Sequence, residues 1–196
     1  MRTIVIDPGH GLPDPGAVGP TGLTEEAVVL DVSLRLAKLL EAAGVAVVLT
    51  RHDHNMPGGK PAAGMSLAGI RNIGLKSRVA AATLPAPALF VSVHTNAATT
   101  PAAHGYEVFH NRAGEEAALC MYDTMLVRLA SHRPRRVLRA DYYVLRKNTC
   151  PAILVELEFI SNPQQEATFR DPAALAFYAK TLAAGIEAYL AQRPVS

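Results

Sequence analysis

Apolar residues cluster along this chain in short runs separated by longer stretches of helical spacing. Six runs rich in Val, Ile, Leu, Tyr or Phe predict strands: Thr3–Ile6, Val45–Thr50, Leu89–Val93, Tyr106–Phe109, Tyr142–Leu145 and Ala152–Leu157. Several are apolar at nearly every position, as strands are when both faces of their sheet are covered. Between them, Val29, Val32, Leu36, Leu39 and Leu40 recur at helical spacing, with Thr24 as the expected N-cap and Gly44 after the last residue, Ala43. Ser66–Ala82, Ala113–Ala130 and Ala173–Ala191 also predict helices. The Gly- and Pro-rich stretch from His52 to Gly64 predicts a loop. Alternation of strands and helices predicts an α/β fold: one twisted, mostly parallel six-stranded sheet with helices on both faces.

Length and composition narrow the class. A chain of 196 residues fits one domain, and 49% hydrophobic residues against 18% charged ones supply a core. A net charge of +2 gives no support to nucleic-acid binding. No stretch is long and apolar enough to span a membrane, and the N-terminal apolar run ends at Asp7-Pro8, too short for a signal-peptide core. Cys120 and Cys150 stand far apart and outside any CxxC pattern, so two buried thiols are expected rather than a disulfide framework or a thiolate metal site.

In open α/β sheets the ligand crevice lies beyond the carboxyl ends of the strands. Past the first strand comes Asp7-Pro8-Gly9-His10-Gly11, and at the end of the third Ser92-Val93-His94-Thr95-Asn96. The sixth carries Glu156 and Glu158, which strict alternation places on one face. A further acid, Glu25 or Glu26, opens the first helix, where the helix dipole favours negative charge. Two imidazoles and a carboxylate, with a fourth position left to water, are a common catalytic zinc set. Taken singly, each residue has an ordinary structural explanation. Glu156 is the exception, because a carboxylate in an apolar run is costly to bury unless it is paired or coordinated. The remaining histidines, including the His52-Asp53-His54 stretch, read as solvated or structural.

These motifs resemble, in order along nearly the whole chain, the zinc-dependent N-acetylmuramoyl-L-alanine amidases of the amidase 3 type. The resemblance rests on Ile4-Val5-Ile6-Asp7-Pro8-Gly9-His10-Gly11 with Asp14-Pro15-Gly16-Ala17, on Glu25-Glu26-Ala27-Val28-Val29-Leu30, and on Val47-Val48-Leu49-Thr50-Arg51. It continues through Phe90–Ala97, Gly105–Phe109, Pro151–Glu156 and Phe159–Asn162. It implies one catalytic domain over residues 1–196. It places Zn²⁺ on His10, Glu25 and His94, and the general base on Glu156. The implied reaction is hydrolysis of the amide joining the lactyl group of N-acetylmuramic acid to L-alanine of the stem peptide. Three positions depart from the family pattern: Glu158 replaces a Gly, Glu26 a Lys, and Thr83 an Asn.

Asp7 is a candidate partner for the second nitrogen of a ligand imidazole, and Asn96 a candidate substrate contact. The implied partner is bacterial peptidoglycan. The expected protein is a monomer that acts on the cell wall, periplasmic or extracellular, with a lean towards a phage lysin held in the cytoplasm until release. A zinc carboxypeptidase would use the same metal chemistry and need an Arg cluster such as Arg133, Arg135 and Arg136. A wall-binding module with a dead site is the non-enzymatic alternative.

Overall fold

Period-two alternation along the strands sorts their side chains into two apolar layers. Ile4, Ile6, Val91, Val93, Ile153 and Val155 point to one layer, and Val5, Phe90, Ala152 and Leu154 to the other. A computed structural model describes residues 2–59, 61–83, 86–129 and 133–193. Its strands are β1 (Thr3–Pro8), β2 (Ala46–Leu49), β3 (Leu89–Asn96), β4 (Tyr106–His110), β5 (Pro134–Arg139) and β6 (Ala152–Phe159). They form one sheet in the order β2-β1-β3-β6-β4-β5. β2, β1, β3 and β6 run parallel; β4 is antiparallel to β6, and β5 is parallel to β4. This is the expected mostly parallel six-stranded α/β sheet.

Helices cover both faces. On one side α1 (Glu25–Ala42), α3 (Glu115–Arg128) and α6 (Pro172–Ala191) bury Val29, Leu36, Met121, Leu182 and Ile186 in the larger core. On the other lie α2 (Leu67–Ala81) and α4 (Tyr143–Lys147), which add Leu75, Val144 and Leu145 to the smaller one. A short α5 (Pro163–Phe169) follows β6. Thr24 does precede α1, without a side-chain cap bond, and Gly44 ends it at a φ of 79°. Ser66 caps α2 by accepting the Gly69 N–H. Residues 52–59 and 61–64 form no helix or strand, as expected of the loop. Ala130, the expected end of the third helix, lies outside the described residues.

One predicted strand is wrong. Tyr142–Leu145 is not extended: it leads into and forms most of α4, and its apolar character comes from Val144 and Leu145 packing on the sheet face. The fifth strand is instead Pro134-Arg135-Arg136-Val137-Leu138-Arg139, an edge strand exposed at five of its six positions. Charged side chains on an edge deter pairing with other chains, and they also hide the strand from any search for apolar runs.

Candidate metal centre

The site grows from a loop held in an unusual conformation. After β1 the chain passes through His10 at a φ of +55°, a region L side chains seldom occupy. Two buried arginines catch the loop's carbonyls. Arg51 donates to Pro8 O at 3.0 Å and Gly9 O at 2.7 Å. Arg78 donates to Pro8 O at 2.6 Å and to His10 O. Asp7 anchors Arg78 and accepts the hydroxyls of Thr50 at 2.5 Å and Ser92 at 2.7 Å. Burial alone would raise the Asp7 carboxyl, but Arg78 and these bonds outweigh it and hold it below the usual carboxylate range. Asp7 is therefore a buried brace rather than an imidazole partner.

That partner is Asp14, whose Oδ2 lies 3.0 Å from His10 Nδ1. This leaves His10 Nε2 directed at Glu25 Oε2, 3.2 Å away. From the end of β3, His94 Nδ1 approaches the other oxygen, Glu25 Oε1, at 2.9 Å. The two rings meet edge-on with centroids 5.0 Å apart. Glu25 is further fixed by the Ala17 N–H at 2.9 Å and the Thr95 N–H at 3.0 Å. Burial pushes its carboxyl up, yet His10 and His94 hold it far below the usual range. Burial disfavours charge on His10, but Glu25 and Asp14 leave it easier to protonate than a free imidazole. Ligand atoms of His10, Glu25 and His94 all lie within 4.8 Å of one another.

Two glycines make this proximity sterically feasible. A Cβ on Gly9 would enter the His94 ring, and one on Gly16 would come within 2.6 Å of Glu25 Oε2 and 2.7 Å of His10 Cδ2. Glu26 turns elsewhere: its carboxylate faces His54 Nδ1 at 3.2 Å and Arg51 at 3.7 Å. The Glu25–Glu26 ambiguity is thus a matter of geometry: only the first side chain of the helix reaches the imidazoles.

Beside this cluster, Glu156 on β6 pairs in register with His94 on β3. Its Oε2 is shielded from solvent and has no hydrogen-bond partner among the described residues. Burial first, then the charges of Glu25 and Glu107, push its carboxyl well above the usual range. Glu107 sits opposite it on β4, bonded to Asn96 Nδ2 at 2.7 Å and Arg136 Nε at 2.8 Å. Asn96 is therefore committed to Glu107 and to the Ala97 N–H, which its Oδ1 accepts at 2.8 Å. Arg135 and Arg136 both pair with Glu107.

Glu158 does not share the face of Glu156. The register between β3 and β6 slips after His94, so Asn96 pairs with Phe159. This bulge inserts an extra residue. It sends the Glu158 carboxylate to the Gly105 N–H, at 2.6 Å, and towards Tyr178 on α6.

The cleft itself holds about 490 Å³ and runs between α2 and α4, with Arg71, Met56, Tyr142 and Tyr143 on its walls. Arg71 donates to Asp14 Oδ1 at 2.6 Å. Asp14, Arg51 and Arg78 are the residues sequence reasoning left without a role. Asp14 stands four residues after His10 in the opening motif, which was the available signal. Both cysteines are free; Cys120 is buried and Cys150 half-buried. His54 pairs with Glu26, and His104 and His110 bond backbone carbonyls. His132 lies outside the described residues.

The fold and site together define an α/β protein with a His-Glu-His metal-ready cluster beside the carboxylate of Glu156. Residues 4–188 match the amidase 3 family of N-acetylmuramoyl-L-alanine amidases, and the chain belongs to that family. The chain is 31% identical over 190 residues to the N-acetylmuramoyl-L-alanine amidase LytC of Bacillus subtilis (strain 168), covering 92% of this chain and 35% of that protein. With the amidase AmiC of Neisseria meningitidis serogroup B it shares 29% identity, over 95% of this chain and 52% of the other. It thus spans about a third to a half of the length of these relatives. Among solved structures, AmiC2 of Nostoc punctiforme superposes with a TM-score of 0.83 at 33% identity, covering 98% of each chain. CwlD of Clostridioides difficile, solved in complex with the GerS lipoprotein, gives 0.92 at 28% identity, covering 98% of this chain and 100% of that one.

Proposed function

We propose that this chain is a zinc-dependent peptidoglycan amidase that cleaves the bond between N-acetylmuramic acid and L-alanine. The observation that carries the reading is the approach of two imidazoles to one carboxylate, opposite a second carboxylate with an unpartnered oxygen. Family membership supplies the substrate class. The donor set fits zinc: two nitrogens and one oxygen, clustered beside an open cleft. His10, Glu25 and His94 would hold the ion, with Asp14 fixing the His10 tautomer. Zinc, when bound, supplies Lewis-acid chemistry that acidifies a water and polarises the scissile carbonyl.

The chain's own residues do the rest. Arg51 and Arg78 hold the His10 loop in place. Glu156 takes a proton from the attacking water on a carboxylate oxygen and returns it to the nitrogen of L-alanine as the amide breaks. Its lack of a hydrogen-bond partner leaves that oxygen available, and its raised affinity for a proton suits it to both transfers. The products are a free muramic acid carboxylate and a stem peptide with a new amino terminus.

On this reading residues 1–196 form one catalytic domain, acting as a monomer on the cell wall outside the cytoplasm. No helix among the described residues is long and apolar enough to cross a membrane. The test is digestion of purified peptidoglycan followed by mass analysis. Expected are stem peptides beginning with free L-alanine, lost with a strong chelator and restored by Zn²⁺. Cleavage at another bond, or full activity in metal-free protein, would overturn the reading.

A further inference from the structure

We propose that Glu166, on α5, is a positioning residue for the metal centre, holding from outside the sheet the loop that delivers Glu25; the proposal rests on the reading of Glu25 as a zinc ligand. That loop runs from Ala17 to Thr24, between the His10 turn and α1. Val18 bridges Thr24 across it, and the Gly19 N–H donates to Leu23 O at 2.8 Å. The N–H groups of Thr21 and Leu23 find their acceptor far along the chain. Thr21 donates to both oxygens of Glu166, at 3.1 and 2.9 Å, and Leu23 to its Oε1 at 3.0 Å.

The Glu166 carboxylate is built into the loop rather than laid on it. The residue is only 1% exposed. Burial alone would raise its carboxyl, but the Leu23 and Thr21 N–H groups, with Arg170, outweigh it and hold it below the usual range. A Cβ on Gly19 would come within 2.5 Å of Glu166 Cδ, so the loop backbone lies directly against the carboxylate. Arg170, one turn further on, donates to Thr21 Oγ1 at 2.8 Å and to Thr21 O at 3.2 Å. The chain leading into α5 is itself anchored. The Ile160 N–H donates to Asn96 O at 2.9 Å, Ser161 Oγ accepts the Ala98 N–H at 3.0 Å, and Asn162 Nδ2 donates to Ala103 O at 3.1 Å. The segment after β6 thus holds both the chain that leaves β3 and the chain that enters α1. Those three elements carry Glu156, His94 and Glu25.

The two ends of the loop converge on Glu25. Its backbone N–H donates to Ala17 O at 2.8 Å, and its Oε2 accepts the Ala17 N–H at 2.9 Å. A binding constellation works only when its groups are held within about 0.5 Å of the productive geometry. Glu25 opens α1, so its place depends on where the loop sets the start of that helix. A donor that loses its acceptor in a buried setting costs free energy, which is relieved by moving towards water. Without the Glu166 carboxylate, Thr21 and Leu23 would make that move, and Leu23 lies two residues from the ligand. Glu166→Gln keeps the size of the side chain but turns an amide N–H towards one of these donors.

The test measures zinc affinity by competition with a chelating dye, and the rise in melting temperature that a fixed excess of Zn²⁺ produces, in the wild type, Glu166→Gln and Gly19→Ala. Gly19 is not in a left-handed conformation, so Ala there acts through its contact with Glu166 and keeps the test available if Glu166→Gln does not fold. Both variants are expected to bind zinc about tenfold more weakly, the lower end of the range for residues that orient metal ligands. Their zinc-induced rise in melting temperature should shrink accordingly, because that rise follows affinity. A residue that only stabilises the fold lowers the melting temperature with and without zinc alike and leaves the increment unchanged. Folded variants with wild-type zinc affinity and a wild-type increment therefore overturn the proposal while leaving the zinc reading standing. A wild type that takes up no zinc overturns both.

Discussion

Two carboxylates of the site, Glu25 and Glu156, stand in opposite circumstances. On the α1 side, Glu25 is bonded to two imidazoles and two backbone N–H groups, and is held far below the usual carboxylate range. On the β6 side, Glu156 keeps one oxygen without a partner and is pushed well above it. Glu25 is buried and Glu156 half-buried with its Oε2 shielded, and burial pushes both carboxyls upward, so burial alone does not separate them; the partners do. A carboxylate surrounded by donors stays charged and keeps its position. One without donors, beside other negative charges, gains and loses a proton readily. The cleft thus holds one acid suited to ligating and another suited to proton transfer.

The largest effect expected from breaking this contrast is on metal binding. Glu25→Ala removes the oxygen between the two imidazoles and should abolish zinc binding, measured by metal content after dialysis. Glu26→Ala should keep one zinc per chain, because its carboxylate faces His54 and Arg51 instead. Equal metal content in the two variants would refute the assignment.

Asp14→Asn should act more mildly. It keeps a hydrogen bond to His10 Nδ1 but loses the charge that supports the imidazole, and such partners are typically worth about 10–100-fold in metal affinity. Competition with a chelating dye would read this, and unchanged affinity would remove Asp14 from the site.

The smallest effect is expected at Glu107. Its charge is one of the influences that raise Glu156, after burial and Glu25. Proton abstraction needs ionised Glu156, so a raised pKa moves the acidic limb of the rate profile upward. Glu107→Gln should lower that pKa and shift the limb to lower pH, with little change in the maximal rate. A shift in the other direction would contradict the coupling.

Much of this arrangement was legible in the chain. The apolar runs of β1, β3 and β6 are read directly because both faces of each strand are buried, and their ends carry His10, His94 and Glu156. Edge strand β5 was hidden because its side chains face solvent. Tyr142–Leu145 misled because four apolar residues pack equally well as a strand or as a single helical turn. α5 is announced by its Asn162 cap and Pro163, but its seven residues are too few to show a helical stripe. The bulge that turns Glu158 away breaks the strict alternation on which its placement beside Glu156 depended. The Arg51 and Arg78 clamps join residues 42 to 71 positions apart, a pairing no local pattern encodes. Asp14 was hidden in plain sight, since a carboxylate before Pro reads equally well as turn chemistry.

The most direct test of the division of labour is Glu156→Gln, with zinc content and amide hydrolysis measured on the same preparation. Gln keeps the shape of Glu but cannot accept the water's proton. Because the folded-state pKa of Glu156 is raised, its ionised form costs stability once the pH rises above the unfolded value. The neutral amide should therefore melt no lower than wild type at pH 7 in the metal-free state. The account predicts one zinc per chain, an intact fold, and hydrolysis slowed by about 10²–10⁴-fold, while Glu158→Gln stays close to wild type. Near-normal hydrolysis by Glu156→Gln, above all if Glu158→Gln is inactive, would contradict it.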